Sequence, residues 1–182
     1  LDANNMWKTA SDVVDYLKGL PCDIAGLEEP LLEKDLDRLI ALSEIINPPI
    51  ILDESFRQFD DLHQLVAHKE SLIINLRVSK MGGVINSLRI ADFCKAQSIQ
   101  VIVGAQVGET SILTRAGLLV AGVLQPNYFA MEGGYGTHLL AHDIVTTPLM
   151  FNERGIIEPK MILNKEAYGL QLKVLEERLD EI

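Results

Sequence analysis

Asp2, Glu28, Asp53, Arg77 and Gly104 each close or follow a short apolar run, and they succeed one another at intervals of 26, 25, 24 and 27 residues. The complete runs are Asp23–Glu28, Pro49–Asp53, Ser71–Val78 and Gln100–Val103, preceded by a stub at 1–4. Amphipathic stretches separate them: Thr9–Lys18, Glu33–Ile45, Asp60–His68, Val84–Gln97 and Ser111–Val123. In the fourth, Val84, Leu88, Ala91 and Cys94 recur at steps of four, three and three, one face of a helix. Strand–helix alternation implies a parallel sheet with right-handed crossovers. An eight-unit barrel of ~250 residues spends a similar length on each βα unit, and its active site lies at the C-terminal rim of the strands. The repeat therefore predicts one polar residue per strand, all at that rim.

Five strands are clear and a sixth is weaker, at Tyr128–Glu132, whereas a closed barrel of this kind has eight. The expectation is an α/β fold: an incomplete TIM-like (β/α) barrel holding about strands three to eight, with residues 1–182 as one domain. The chain opens on "LDANN" without an initiator Met and reads as the C-terminal portion of a longer protein. At 182 residues and 48% hydrophobic it has enough apolar material for a core. The competing architecture is a doubly wound open sheet with acidic loops. It lacks the G-x-G-x-x-G loop, and Gly82-Gly83 is too short to replace it.

Alternation along strands assigns the inward side chains. Asp2 and Asn4 share a face, as do Ile24, Gly26 and Glu28, while Leu27 and Glu29 point the other way. Ile51, Asp53 and Ser55 go together. Asp2, Glu28 and Asp53 then converge from three adjacent strands. Like charges so close raise one another's pKa, and a hard divalent cation with oxygen ligands relieves the conflict. The ordinary alternative for each acid alone is a solvated loop residue or a helix cap.

The ordered set "LDANNMW" (Asp2, Asn4, Trp7), "GLEEP" (Glu28, Pro30), "LDES" (Asp53, Glu54, Ser55), "SKMGG" (Lys80, Gly82, Gly83) and "VGAQVGETSI" (Glu109) resembles the enolase superfamily, in its mandelate racemase and muconate lactonizing branch. The resemblance covers roughly residues 1–160. It implies a modified barrel with an N-terminal capping domain, expected to lie ahead of Leu1. It implies Mg²⁺, or Mn²⁺, held by Asp2, Glu28 and Asp53. It also implies abstraction of the proton α to a substrate carboxylate through a metal-stabilised enediolate, in cycloisomerase, epimerase or dehydratase chemistry. Expected partners are a small-molecule carboxylate, the chain's own capping domain and further copies in a homo-oligomer.

Arg77 departs from that pattern. In muconate lactonizing relatives the strand-six catalytic lysine is the first of "N-I-K-x-x-K-x-G-G", and that register falls on Arg77, with Lys80 matching the second lysine. A guanidinium stays protonated and makes a poor general base, but it forks well onto carboxylates. Arg77 is thus expected to orient substrate or to pair with Asp53, and Lys80 to support a carboxylate. Asn75 alternates inward with Arg77. Glu132, at the end of strand eight, is the candidate acid. Asn4, Asn75, Gln106 and Glu109 are candidate substrate contacts. No His lies on "VIVGAQVGE"; His63 and His68 read as helix residues, and His138 and His142 follow "MEGGYG". The Asp-x-Asp expected of dipeptide epimerases on strand eight is not visible, and a Lys-x-Lys base on strand two would lie before Leu1. Two other readings stand beside the enzyme: a catalytically incompetent barrel fragment or relative, and a Schiff-base aldolase using Lys80. In the last, converging carboxylates would hold the lysine pKa up.

A net charge of −10 repels phosphate backbones and argues against nucleic acid. No apolar run approaches a membrane span. Cys22 and Cys94 lack metal spacing and read as reduced thiols, pointing to the cytoplasm. "KVLEERLDEI" reads as a charged surface helix, and "FNERGIIEP" as the passage out of the barrel.

Overall fold

The computed structural model describes residues 1–32, 34–133, 136–157 and 168–181. Glu33 at the expected start of the second helix, Gly134 and Tyr135 of "MEGGYG", Glu158 and Pro159 of "FNERGIIEP" and the terminal Ile182 lie outside the described residues. The elements run α1 (Ala10–Lys18), β1 (Leu27–Glu28), α2 (Leu36–Ser43), β2 (Ile50–Leu52), α3 (Leu62–Leu65), β3 (Leu72–Arg77), α4 (Val84–Gln97), β4 (Gln100–Gly104), α5 (Ser111–Leu124), β5 (Tyr128–Met131) and α6 (Gly136–Leu139). The five strands form one parallel sheet in the order β1-β2-β3-β4-β5. Each strand pairs with the next in sequence, with helical connections between them, as in a barrel wall. The weak sixth run is thus a strand, β5.

Ahead of β1, residues 1–7 run parallel to it. Glu28 N donates to Leu1 O at 2.8 Å, Ala3 N to Glu28 O at 2.9 Å and Trp7 N to Pro30 O at 3.0 Å. This is the short end of the strand expected at "LDAN", and it brings Asp2 opposite Glu28.

Two apolar layers show the register. Leu27, Ile50, Leu52, Leu72, Ile74, Leu76, Val101 and Val103 pack outward with the helices in the main core. The alternate residues Ile51, Ile73 and Ile102, with Ala130 against them, form a separate buried cluster on the inner face. Strand alternation places Glu28, Asp53, Asn75 and Glu132 on that inner side, above the isoleucines. Helix α1 starts at a capping box, with Thr9 Oγ1 accepting from Asp12 N and Asp12 Oδ2 accepting from Thr9 N. Helix α4 spans the expected range, but its fully buried stripe is Ser87, Ile90, Ala91 and Cys94. Ser87 replaces Val84 and Leu88 because its hydroxyl bonds Gly83 O at 2.9 Å and can be buried. The expected helix at Asp60–His68 is broken: one α-turn, Leu62–Leu65, lies between two 3₁₀ turns. The terminal charged segment is 3₁₀ over Glu176–Glu181. No helix among the described residues is long and apolar enough to cross a membrane.

Candidate active site

Asp53, directly after β2, carries two cations. Arg77 Nη2 donates to its Oδ2, and Lys80 Nζ donates to Oδ1 at 2.7 Å and to the backbone oxygen of Asp53 at 2.5 Å. The Asp53 carboxylate is only 3% exposed, and both cationic side chains are mostly covered. Arg77 ends β3 and Lys80 follows in the turn before Gly82 and Gly83, so the spacing of three lets both reach one carboxylate. The sequence expectation of an Arg77–Asp53 pair is met, and Lys80 supports the same group.

Glu28 lies deeper. Asn75 Nδ2 donates to Glu28 Oε1 at 2.9 Å and to Glu132 Oε2 at 3.4 Å. Asn75 is fully buried, and Gly104 on the neighbouring strand makes room for it: a Cβ there would lie 1.7 Å from Asn75 Oδ1. That oxygen has no hydrogen-bond partner among the described residues. Burial pushes the Glu28 carboxyl up to about 7, opposed by the Asn75 hydrogen bond and reinforced by the charges of Glu132, Asp2 and Asp53. Three other carboxylates thus bear on Glu28 at this rim.

Asp2 sits nearer solvent, with both oxygens held by Asn4: the Asn4 N–H donates at 2.9 Å and Nδ2 at 3.0 Å. Asn4 has left the strand, at φ 46°, so it reaches Asp2 through a turn and not by strand alternation. Ser55 is likewise off its expected face. The strand stops at Leu52, and Ser55 Oγ and N donate to Glu29, with Asp53 N donating to the same carboxylate. Glu29 is 1% exposed, and burial raises its pKa. Sequence reasoning assigned Glu29 no role; its φ of 38° lets its carboxylate tie the end of β1 to the turn after β2. The doubled acid in "GLEEP" was the available signal.

On the far side, Gln106 Oε1 accepts from Arg77 Nη1 at 3.3 Å, and Gln106 N donates to Glu109 Oε1 at 2.7 Å. Burial raises the Glu109 pKa, and the Arg77 charge counteracts it. Gln106, Glu109 and Glu132 border a cavity of about 260 Å³, with Val107 and Leu139 in its wall. Asp143 holds the start of α5, accepting from Ser111 N at 3.0 Å and Oγ at 2.6 Å, which steadies this loop. His63 packs on Phe59 and Phe93, and His68 pairs with Glu44 at 3.4 Å, so both belong to the helical layer.

Asp2 lies opposite Glu28, and Asp53 follows the next strand, but the expected convergence of the three side chains is not seen. Among the described residues no three His, Cys, Asp or Glu side chains are grouped to hold one ion. The reason is visible at Asp53, whose oxygens are turned to Arg77 and Lys80. The donor set nonetheless fits a hard divalent cation. The carboxylates are oxygen donors on successive strand ends, Glu28 is raised mainly by burial and further by its acidic neighbours, and Asn75 Oδ1 is buried without a partner among the described residues.

A family model described as Enolase C-terminal domain-like matches residues 1–162. The "Hydrophobic dipeptide epimerase" of Enterococcus faecalis is 32% identical over 66% of this chain and 34% of its own length. The solved muconate lactonizing enzyme from Pseudomonas putida superposes with a TM-score of 0.80 and 26% identity, over 99% of this chain and 48% of that one. A dipeptide epimerase from Cytophaga hutchinsonii, complexed with Mg and the dipeptide D-Ala-L-Val, gives 0.78 and 26%, over 99% of this chain and 47% of that one. The chain thus spans between a third and a half of the length of these relatives. With its parallel strands, its rim of carboxylates and a family match over most of its length, this chain belongs to the Enolase C-terminal domain-like family.

Proposed function

We propose that this chain is the metal-binding part of an enzyme that removes the proton α to a substrate carboxylate, with Asp2, Glu28 and Asp53 as the ligands of Mg²⁺. The observation that supports the reading is the shared rim: Asp2 lies opposite Glu28, Asp53 follows the next strand, and Asn75 joins Glu28 to Glu132. The Cytophaga relative, complexed with Mg and a dipeptide, supports the same choice of ion and a carboxylate-bearing substrate. A bound Mg²⁺ would polarise the substrate carboxylate and acidify the neighbouring carbon–hydrogen bond.

The chain's own groups divide the remaining work. Asn75 orients Glu28 and Glu132 by donating to both. Lys80 anchors Asp53. Arg77 offers a permanently charged fork between Asp53 and Gln106, suited to holding a carboxylate and unsuited to taking a proton. Glu132 and Glu109 face the cavity where the substrate's remaining part would lie. With Arg77 in place of a lysine, the reaction class is one-base chemistry, cycloisomerisation or elimination, in which the proton acceptor comes from outside residues 1–182. The incompetent-fragment reading rests on that same Arg77.

Calorimetric titration of MgCl₂ into the chain and into Asp53→Asn tests the metal reading. The parent binds one equivalent, and the variant loses at least tenfold in affinity. Equal affinity for the two proteins would remove Asp53 from the ligand set and the reading with it.

A further inference from the structure

Asp143 is a buried acid, 6% exposed, in the segment that follows α6, and the proposed chemistry gives it no part. Its carboxylate caps a helix from 32 residues away. Thr110, the residue before α5, makes no capping bond through its own side chain among the described residues. Asp143 Oδ2 accepts from Ser111 N at 3.0 Å and from Ser111 Oγ at 2.6 Å, a charged acceptor where the free N–H groups and the dipole of a helix favour one. Ser111 Oγ accepts in turn from Leu149 N at 2.7 Å, and Asp143 Oδ1 from Val145 N at 3.3 Å. Ser111 is fully buried, so these groups are costly to leave unpaired.

The C-terminal segment closes over the same residues. Thr146 N donates to Lys173 O at 3.0 Å and Leu175 N to Ile144 O at 2.8 Å, around an antiparallel bridge of Val145 and Val174. Arg178 Nη1 then donates to the backbone oxygen of Asp143 at 2.7 Å. On the other side of Ser111 lies the loop between β4 and α5. There Gln106 N donates to Glu109 Oε1, and Gln106 Oε1 accepts from Arg77. The fit against this loop is close: a Cβ on Gly136 would lie 3.1 Å from Glu109 O and 2.7 Å from Met150 Cε. We infer that Asp143 is a positioning residue, which carries the hold of the C-terminal segment through Ser111 to the loop that sets Gln106 and Glu109 against the cavity of about 260 Å³. Residues 173–178 thus shape the wall of the candidate site from outside its lining. This placement of the loop is independent of which ion or substrate the rim takes.

The test is hydrogen exchange read amide by amide by NMR on the 182-residue chain. The Gln106 amide reports the loop, because it is bonded to Glu109, and the amides of Leu72–Leu76 in β3 report the rest of the sheet. The proteins are the parent, Asp143→Ala, Arg178→Met, Arg178→Lys and Glu177→Gln, the last altering an exposed residue of the same turn. Arg178→Met leaves the buried acid in place and so tests the tail even if Asp143→Ala does not fold. In Asp143→Ala and Arg178→Met the Gln106 amide should exchange roughly tenfold faster, with β3 within about twofold of the parent, as for a local opening. Arg178→Lys, which keeps a donor for the Asp143 oxygen, and Glu177→Gln should both match the parent. A parent-like Gln106 rate in Arg178→Met, or in a folded Asp143→Ala, overturns the inference. So does a Gln106 amide that already exchanges freely in the parent, or Arg178→Lys behaving as Arg178→Met. Acceleration of Gln106 and β3 together would show that the clasp supports the fold as a whole and does not position the loop.

Discussion

Asn75 Nδ2 bridges Glu28 and Glu132, and its position depends on the missing side chain at Gly104. Gly104→Ala drives a methyl group into the Asn75 amide, so the bridge must break or β3 and β4 must part. The expected cost is about 1–3 kcal/mol, read as a lower urea midpoint; an unchanged midpoint would contradict the packing described. Glu28 makes a pH prediction. Its folded-state pKa of about 7 exceeds the ordinary 4.5, so between those values the folded chain holds a proton that the unfolded chain has released. Stability from this group is therefore greatest below 4.5, falls as pH rises toward 7, and stays low above. Glu29 and Glu109 shift in the same direction. Urea midpoints at pH 5, 6, 7 and 8 should fall less steeply for Glu28→Gln than for the parent. Identical slopes would mean that Glu28 titrates normally in the folded chain.

Among the elements, the turn after β2 is where structure and strand alternation part. Three donors, Asp53 N, Ser55 N and Ser55 Oγ, converge on the buried Glu29 carboxylate. Glu29→Ala strands all three and should cost about 3 kcal/mol, since each buried unsatisfied group costs ~1–3 kcal/mol. A melting temperature within a degree of the parent's would show that water replaces the carboxylate. This turn also marks the limit of what could be read from the sequence. The strand ends at Glu28, Leu52, Arg77 and Gly104 were legible because inward and outward residues alternate without interruption up to the rim. Beyond the rim the rule lapses: Glu29 and Asn4 take positive φ, and Ser55 sits in a turn. Their partners follow from tertiary closeness that no period encodes. Helix α4 was legible over its whole length, yet its deepest polar residue, Ser87, was hidden because a backbone bond within the helix satisfies it. The segment at 60–68 carries helix-compatible residues, but its continuity is lost where Asp61 turns back to accept from Arg57 N at 2.9 Å and Gln58 N at 3.1 Å.

Across the whole molecule, the described sheet is a wall of five strands with the 1–7 segment along one side and β5 along the other. Unpaired strand edges recruit other chains. The chain should self-associate in solution, and light scattering that returns only the 20.2 kDa mass at high concentration would contradict this. The rim that the wall carries is where the proposed function places one divalent ion, between Asp2, Glu28 and Asp53. Anomalous diffraction from crystals of this chain grown with Mn²⁺ tests it most directly. The account predicts a single strong peak at ordinary metal–oxygen distance, about 2.0–2.6 Å, from carboxylate oxygens of all three residues. A peak elsewhere, or none, would contradict it.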